Sequence, residues 1–159
     1  MGVFACTCVP DDSIVNAYKS ANLVFEGKVV KIDTVFISDI ANIISSTNSG
    51  PHVKVILRKY LAVKFSISKL FKGDMQNKTV TVMTDAAGTR CGFQFIPNIS
   101  YLVYGYTEQF SFVVSRNLNA DQNSNTKTIK KTRYSTNSCT RTTMAIKSEM
   151  AELISNKLI

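Results

Sequence analysis

Four cysteines are the residues whose type and spacing point most directly to chemistry in this chain. Cys6 and Cys8 stand one residue apart near the N-terminus, whereas Cys91 and Cys139 lie far along the sequence. A bond between Cys6 and Cys8 would be severely strained, because the extended chain holds their side chains apart. Two pairings remain open, Cys6 with Cys91 and Cys8 with Cys139, or Cys6 with Cys139 and Cys8 with Cys91. In either one the N-terminal segment is tied at two points to the second half of the chain.

Cysteine usage also bears on the compartment and on metal binding. Disulfides that close loops this long each restrict the unfolded chain, by about 4 to 5 kcal/mol in the simple entropic account. Such bonds persist in oxidising compartments, so the cysteines predict a secreted or otherwise extracytoplasmic protein. The alternative is a zinc site built from all four cysteines. Such sites usually contain two C-x2–4-C knuckles, and the sequence contains none. We therefore expect no intrinsic metal and no cofactor.

Catalytic chemistry is not indicated. His52 is the only histidine, and it follows Pro51 in a predicted turn. The sequence shows no constellation of paired carboxylates, of a nucleophile with its base, or of a glycine-rich phosphate loop. The expectation is that the protein is not an enzyme.

The charge distribution offers a binding function instead. The 19 Lys and Arg exceed the 11 Asp and Glu, giving a net charge of +8. Barrels of the OB type bind polymers across basic faces on which aromatics such as Phe93 or Tyr104 stack. For an extracellular protein we expect an acidic polysaccharide or an anionic surface as the partner, and not nucleic acid; the alternative is a solvated surface that only aids solubility. The candidate residues are Lys54, Arg58, Lys64, Lys69 and Lys72.

The elements that position these residues follow from hydrophobic periodicity. Apolar positions alternate with polar ones from Val53 to Ile67, which predicts a strand longer than usual that bends or projects as a hairpin arm with residues 29–37. Gly27 interrupts the first strand, where a bulge is expected. The polar stretch 116–132 lacks periodicity and is expected to be mobile. The full prediction is helices at 12–21 and 143–157, strands at 23–32, 53–67, 79–84, 101–106 and 110–115, and a loop at 38–52.

About five bent strands with a short helix at each end predict an all-β fold with flanking helices. The expected architecture is an OB-fold-like, five-stranded closed barrel, forming a single domain over residues 6–159. Residues 1–5 end in Val3-x-Ala5, the pattern that precedes signal-peptidase cleavage, so we expect Cys6 to be the first mature residue. The alternatives are an ordinary disordered N-terminus and a bacterial lipoprotein box in which Cys6 carries lipid. No apolar run is long enough to span a membrane.

A set of short motifs recurs in order along the chain. The first is Cys6-Thr7-Cys8-Val9-Pro10. The others are residues 23–30, residues 65–73, which end in Phe-Lys-Gly, Arg90-Cys91-Gly92, residues 101–105 with the pattern Tyr-Leu-x-x-Gly, and Ser138-Cys139. Together they resemble the N-terminal inhibitory or netrin-like domain of the tissue inhibitors of metalloproteinases, with the first motif similar to the family's mature N-terminus and residues 23–30 similar to its first strand. The resemblance covers about residues 6–139.

The resemblance implies a pairing and a target. It implies the bonds Cys6–Cys91 and Cys8–Cys139 and a zinc metalloprotease as the partner. In that family the free amine and carbonyl of the first cysteine chelate the zinc of the target protease. Carried over, Cys6 is the chelator and Thr7 enters the pocket beside the metal.

The remaining residues of the implied protease-binding edge flank these two. Cys8, Val9 and Pro10 would lie along the protease cleft, and Thr89 and Arg90 would complete the edge. The sequence lacks the cysteines of the family's third disulfide. With residues 1–5 attached, the nitrogen of Cys6 is an amide, and amide nitrogen does not chelate as an amine does.

Overall fold

The computed structural model describes residues 13–43, 52–86, 91–114 and 127–159. Five strands and two helices account for most of these residues. In chain order they are α1 (Ile14–Ser20), β1 (Leu23–Ile43), β2 (His52–Lys72), β3 (Thr79–Asp85), β4 (Ser100–Val114), β5 (Lys127–Ser135) and α2 (Ile146–Ser155). The mostly-β prediction with a helix before and a helix after the strands is confirmed.

The strands form a closed ring in the order β1-β2-β3-β5-β4. Pairing of β4 with β1, from Leu23 opposite Gly105 to Lys28 opposite Ser100, closes it. All neighbouring strands are antiparallel except β3 and β5, which run parallel and pair at Val82–Tyr134 and Met83–Ser135. The parallel pair is the shortest seam of the ring.

The interior of the ring is filled by the alternating residues that the sequence singled out. Val63 and Phe65 of β2 are fully buried, as are Phe25 and Val29 of β1. The rings of Phe25 and Phe65 meet edge to face with centroids 5.3 Å apart. Gly27 lies at a register shift between β1 and β2, so the predicted irregularity of the first strand is present there.

The two helices cover the outer face of β1 and β4. Ile14 and Ala17 of α1 and Leu153 of α2 pack against Leu102 and Tyr104 of β4. The start of α1 is fixed by Ser13, whose Oγ accepts a hydrogen bond from the backbone N–H of Asn16 at 3.2 Å. This N-cap satisfies one of the donors that a helix leaves unpaired in its first turn.

Several element boundaries differ from the prediction, and three of the differences concern segments that were expected to be loop, mobile or separate strands. Residues 38–43 continue β1 and are not loop, because they pair with β2 as far as Ile43 opposite His52. Residues 101–106 and 110–115 were predicted as separate strands, but β4 runs unbroken through 100–114. Residues 127–132 are not part of a mobile stretch, because β5 pairs with β4 over its whole length. In each case hydrogen bonds to a neighbouring strand determine how far the strand extends. A polar sequence does not predict those bonds.

A buried polar network fastens α2 to the ring. The hydroxyl of Tyr104 donates to Glu149 Oε1 at 2.8 Å, and Tyr104 is fully buried. Arg141 binds the same carboxylate through Nε at 2.7 Å and Nη2 at 2.8 Å, and Nη2 also reaches Glu152 Oε2 at 3.0 Å. Burial, and then the hydrogen bond to Glu149, raise the pKa of Tyr104 well above its usual value.

No helix in the described part of the chain has both the length and the apolar character needed to cross a membrane.

Replacing Tyr104 by Phe tests this network. Loss of the buried hydrogen bond is expected to lower the free energy of unfolding by about 1 to 3 kcal/mol. Above pH 10 the phenol ionises in the unfolded chain and stays protonated in the fold, so the stability of the native sequence falls as pH rises. The Tyr104→Phe variant should show a shallower fall between pH 10 and 11. Urea unfolding followed by circular dichroism measures both effects.

Tyr134→Phe is the matched control, because no hydrogen bond to the Tyr134 hydroxyl occurs among the described residues. Its stability at neutral pH should stay close to that of the native sequence. Equal alkaline slopes for the native sequence and the Tyr104→Phe variant would contradict the assignment.

Candidate functional site

The residues predicted to touch a protease divide between the described and the undescribed parts of the chain. Cys6, Thr7, Cys8, Val9 and Pro10 lie outside the described residues, and so do Thr89 and Arg90. Cys91 and Cys139 lie within the described residues. They are the predicted disulfide partners of Cys6 and Cys8. The described part of the site is therefore its foundation, the two segments that carry the later cysteines.

The parallel pairing of β3 and β5 brings those segments together. Parallel strands end at the same edge of a sheet, and β3 ends at Asp85 while β5 ends at Ser135. Beyond β5, the N–H of Thr136 still donates to the carbonyl of Met83 at 2.9 Å. Farther on, the N–H of Ser138 donates to the carbonyl of Cys91 at 2.7 Å. The segments that contain Cys91 and Cys139 therefore lie side by side.

Both cysteines are disulfide-bonded, and the described residues include no free cysteine. Two residues of extended chain span about 7 Å, so a Cys-x-Cys segment can bond to two different cysteines only if these are neighbours. The contact between Ser138 and Cys91 meets that requirement. Which cysteine bonds to which stays a prediction.

The Cys91 segment is held against the end of β3. The N–H of Phe93 donates to Thr84 Oγ1 at 2.8 Å, and the Thr84 side chain is buried. A Cβ atom on Gly92 would stand 2.0 Å from the carbonyl oxygen of Asp85. Only glycine fits at this distance, so the backbone of residue 92 passes directly over the last residue of β3.

An aromatic cluster fixes the continuation of this segment to the core of the ring. Phe95 packs edge to face on Phe65 and Tyr101, with ring centroids 5.2 Å and 5.0 Å away. Phe93 lies 4.6 Å from Phe95, and the Tyr101 hydroxyl accepts from the N–H of Ile96 at 2.9 Å. The segment after Cys91 has no helix or strand, yet its position is fixed by packing.

Side-chain hydroxyl groups order the Cys139 segment. The N–H of Cys139 donates to Asn137 Oδ1 at 2.8 Å. The hydroxyls of Thr136, Thr140 and Thr142 lie within 3.1 Å of one another, and the Thr142 hydroxyl accepts the N–H of Tyr104 at 3.1 Å. These bonds join the Cys139 segment to β4 and, through Tyr104, to α2.

The five residues predicted to bind a polyanion are in different environments. Lys72 is engaged at the end of α1, where its Nζ donates to the carbonyls of Tyr18 and Lys19 at 2.7 Å each. Lys69 is exposed and lies over the ring of Phe71, with its Nζ 5.1 Å from the centroid. Arg58 is half-buried, and the side chain of Lys54 lies outside the described residues. Lys64 is exposed on the outer face of the ring.

Strand register places two further lysines beside Lys64. Lys31 of β1 lies directly opposite Lys64, and Lys28 lies opposite Ser66, two residues farther along the same face. All three lysines are exposed, and we name them the basic face. Among the described residues, one ion pair offsets this charge. It joins the Nζ of Lys31 to Asp33 Oδ1 at 2.8 Å. Sequence reasoning missed Lys28 and Lys31 because a register cannot be read from one strand alone.

The aromatics proposed to stack on a polymer are not free to do so. Tyr104 is fully buried beneath the helices, and Phe93 is packed in the aromatic cluster at the ring core. In the described part of the chain, no three or more His, Cys, Asp or Glu side chains come together as a metal site. A polymer would therefore meet charge and hydroxyl groups on the basic face.

Comparisons with known proteins do not assign the chain to a family. A scan against protein-family models gives no match, and a search of curated protein sequences gives none either. The likeness to the tissue inhibitors of metalloproteinases rests on the residues quoted above.

Substituting Gly92 by Ala tests whether residue 92 must lie against the end of β3. The added Cβ would collide with the Asp85 carbonyl, so the segment would have to move, at an expected cost of about 3 kcal/mol or more in unfolding free energy. The measurement is urea unfolding of the oxidised protein.

Gly105→Ala is the matched control, since its Cβ would meet Leu23 at an ordinary 3.5 Å. It should cost no more than about 1 kcal/mol. A Gly92 variant as stable as the Gly105 variant would refute the packing described for the Cys91 segment.

Proposed function

We propose that the chain is a secreted binding domain that inhibits zinc metalloproteases through the edge formed by Cys6, Thr7, Cys8, Val9 and Pro10. The observation that carries the proposal is the adjacency of the Cys91 and Cys139 segments at one edge of the ring. That adjacency offers two neighbouring anchors for a Cys-x-Cys segment. We also infer that the ring is an OB-type barrel, which its strand order and flanking helices favour.

Anchoring gives the N-terminal segment the rigidity that metal chelation requires. A free peptide loses conformational entropy when it binds, and two disulfides remove most of that cost in advance. An α-amine ordinarily has a pKa of about 8. If Cys6 is the first residue, a fraction of its α-amine would therefore be neutral and carry a lone pair at pH 7. The adjacent carbonyl oxygen is a second donor, and a catalytic zinc keeps an open coordination position for such ligands.

Side chains beside the chelating group would determine which protease is bound. Thr7 would enter the pocket next to the zinc, while Val9 and Pro10 would follow the cleft. Thr89 and Arg90 precede Cys91 and would lie beside the edge once Cys6 is bonded to it. The bulk and charge of Arg90 would favour proteases whose clefts carry acidic groups.

The chelation step is tested with three forms of the same chain. One form begins at Cys6, one retains residues 1–5, and one begins at Cys6 with its α-amine acetylated. We expect the first to inhibit a zinc metalloprotease and the other two to bind at least about 100-fold more weakly, because an amide nitrogen is a poor ligand. Titration of protease activity measures all three.

Acetylation changes neither the disulfides nor the side chains, so it isolates the amine. Equal inhibition by the three forms would contradict chelation. No inhibition by the first form at high micromolar concentration, against a panel of metalloproteases, would contradict the proposed function itself.

A second candidate is binding of an acidic polysaccharide on the basic face. The favouring observation is that Lys31 and Lys64 are directly opposed. Like charges in that arrangement are destabilising, and a bound anion would relieve the repulsion. This function needs no free α-amine and therefore survives if residues 1–5 remain attached.

Neutralising the basic face tests the second candidate. The variant Lys31→Gln with Lys64→Gln should elute from heparin at lower salt than the native sequence, because fewer counterions are released. The variant Lys19→Gln with Lys147→Gln makes the same charge change on α1 and α2 and serves as control. If both variants elute at one salt concentration, retention follows net charge and the basic face is not a site.

A further inference from the structure

A reverse turn at residues 96–99 lies beside β1, immediately before β4. The N–H of Ile99 donates to the carbonyl of Ile96 at 3.3 Å, which closes the turn. Asn98 has a φ of 66°, in the left-handed region that Asn tolerates better than most residues. Its N–H donates to the carbonyl of Val29 at 3.0 Å, and the N–H of Val29 donates to Ile99 at 2.9 Å. The turn is therefore fixed to the strand.

The same turn carries exposed apolar side chains. Ile96 is 52% exposed and Ile99 is 38% exposed. Val30 follows Val29, at the register shift between Val29 and Lys31, and is 56% exposed. The backbone of Val29 joins these positions, because it bonds to Asn98 and Ile99 and Val30 follows it, and we name these three residues the apolar turn patch. Exposed apolar surface on a soluble protein often marks a place that another group covers.

The sequence of the turn offers a covering group. Asn98-Ile99-Ser100 is an acceptor sequence for N-linked glycosylation, with no proline at its middle position. Asn98 and Ser100 are both exposed, and no hydrogen bond to the Asn98 side chain occurs among the described residues. We propose that Asn98 carries an N-linked glycan that covers the apolar turn patch. A glycan is bulky and solubilising, so it would shield these side chains from other proteins.

The transfer step balances with one co-substrate, a lipid-linked diphospho-oligosaccharide. Asn98 Nδ2 forms a bond to C1 of the first sugar while the bond from that carbon to the phosphate oxygen breaks. The lipid diphosphate leaves with the bonding electrons, and a base of the transferase takes the proton lost from Nδ2. The step requires export through a compartment that holds the transferase, but it does not depend on the protease-binding edge.

A second acceptor sequence in the chain provides an internal comparison. Asn77-Lys78-Thr79 precedes β3, and Asn77 is also exposed. Asn77 lines a groove of about 310 Å³ with Ile67, Leu70 and Met75. Because Asn77 lies in the connection between β2 and β3 and not in the 96–99 turn, its replacement is the matched control.

The experiment expresses the whole chain behind a cleavable signal peptide in a eukaryotic secretory host. Four proteins are compared by intact mass and glycopeptide mapping: the native sequence, Asn98→Gln, Ser100→Ala and Asn77→Gln. The Ser100 variant keeps Asn98 and removes only the acceptor motif. We expect a glycan at Asn98 in the native sequence and in Asn77→Gln, and an unmodified residue 98 in the other two. Release with a peptide N-glycosidase, which hydrolyses the side-chain amide, should convert Asn98 to Asp.

A second measurement tests the covering role. After enzymatic removal of the glycan, binding of a hydrophobic dye should rise in the native sequence and stay low in a variant with Val30→Thr and Ile96→Thr. A secreted native chain whose Asn98 peptide is wholly unmodified overturns the proposal. Unchanged dye binding after removal overturns the covering role, and neither result bears on protease inhibition.

Discussion

The parallel pairing of β3 with β5 is the constraint on which the candidate site depends. Only two residue pairs and one further hydrogen bond form this seam, yet it makes both strands end at one edge of the ring. The chain that leaves β3 and the chain that leaves β5 consequently run side by side. Had β5 been antiparallel to β3, the residues after the two strands would leave at opposite edges. The later cysteines could then not serve one short segment.

Packing around this seam turns a local pairing into a rigid foundation. Gly92 lies against Asp85, the aromatic cluster holds residues 93–96, and threonine hydroxyls link the Cys139 segment to β4. The network of Tyr104, Glu149 and Arg141 then ties α2 to the same strand. Buried ionic groups cost desolvation, and the hydrogen bonds within this network offset that cost. Inhibition by chelation would require that rigid foundation.

Sequence reasoning recovered what depends on local pattern. The alternation from Val53 to Ile67 predicted β2, and a helix was expected before the strands and another after them. It failed where structure depends on partners distant in sequence. β5 has a polar sequence that resembles a loop, and its strand forms because β4 supplies the hydrogen bonds.

The candidate site shows the same division. The two later cysteines and Lys64 could be chosen from residue type, but Lys28 and Lys31 required the register of β1 on β2. Lys72 looked like part of a basic stripe, and only the fold reveals that its amine is held by two carbonyls at the end of α1. Tyr104 looked like an exposed aromatic, and the helices cover it. In each case the sequence lacked information on contacts between residues that are distant along the chain.

The decisive measurement is disulfide mapping of the oxidised protein. Digestion without reduction, followed by mass spectrometry of the linked peptides, reports which cysteines are joined. We expect one peptide that links Cys6 to Cys91 and another that links Cys8 to Cys139, with no free thiol. A peptide that links Cys91 to Cys139 would contradict this pairing, because the N-terminal segment would then have no anchor on the ring.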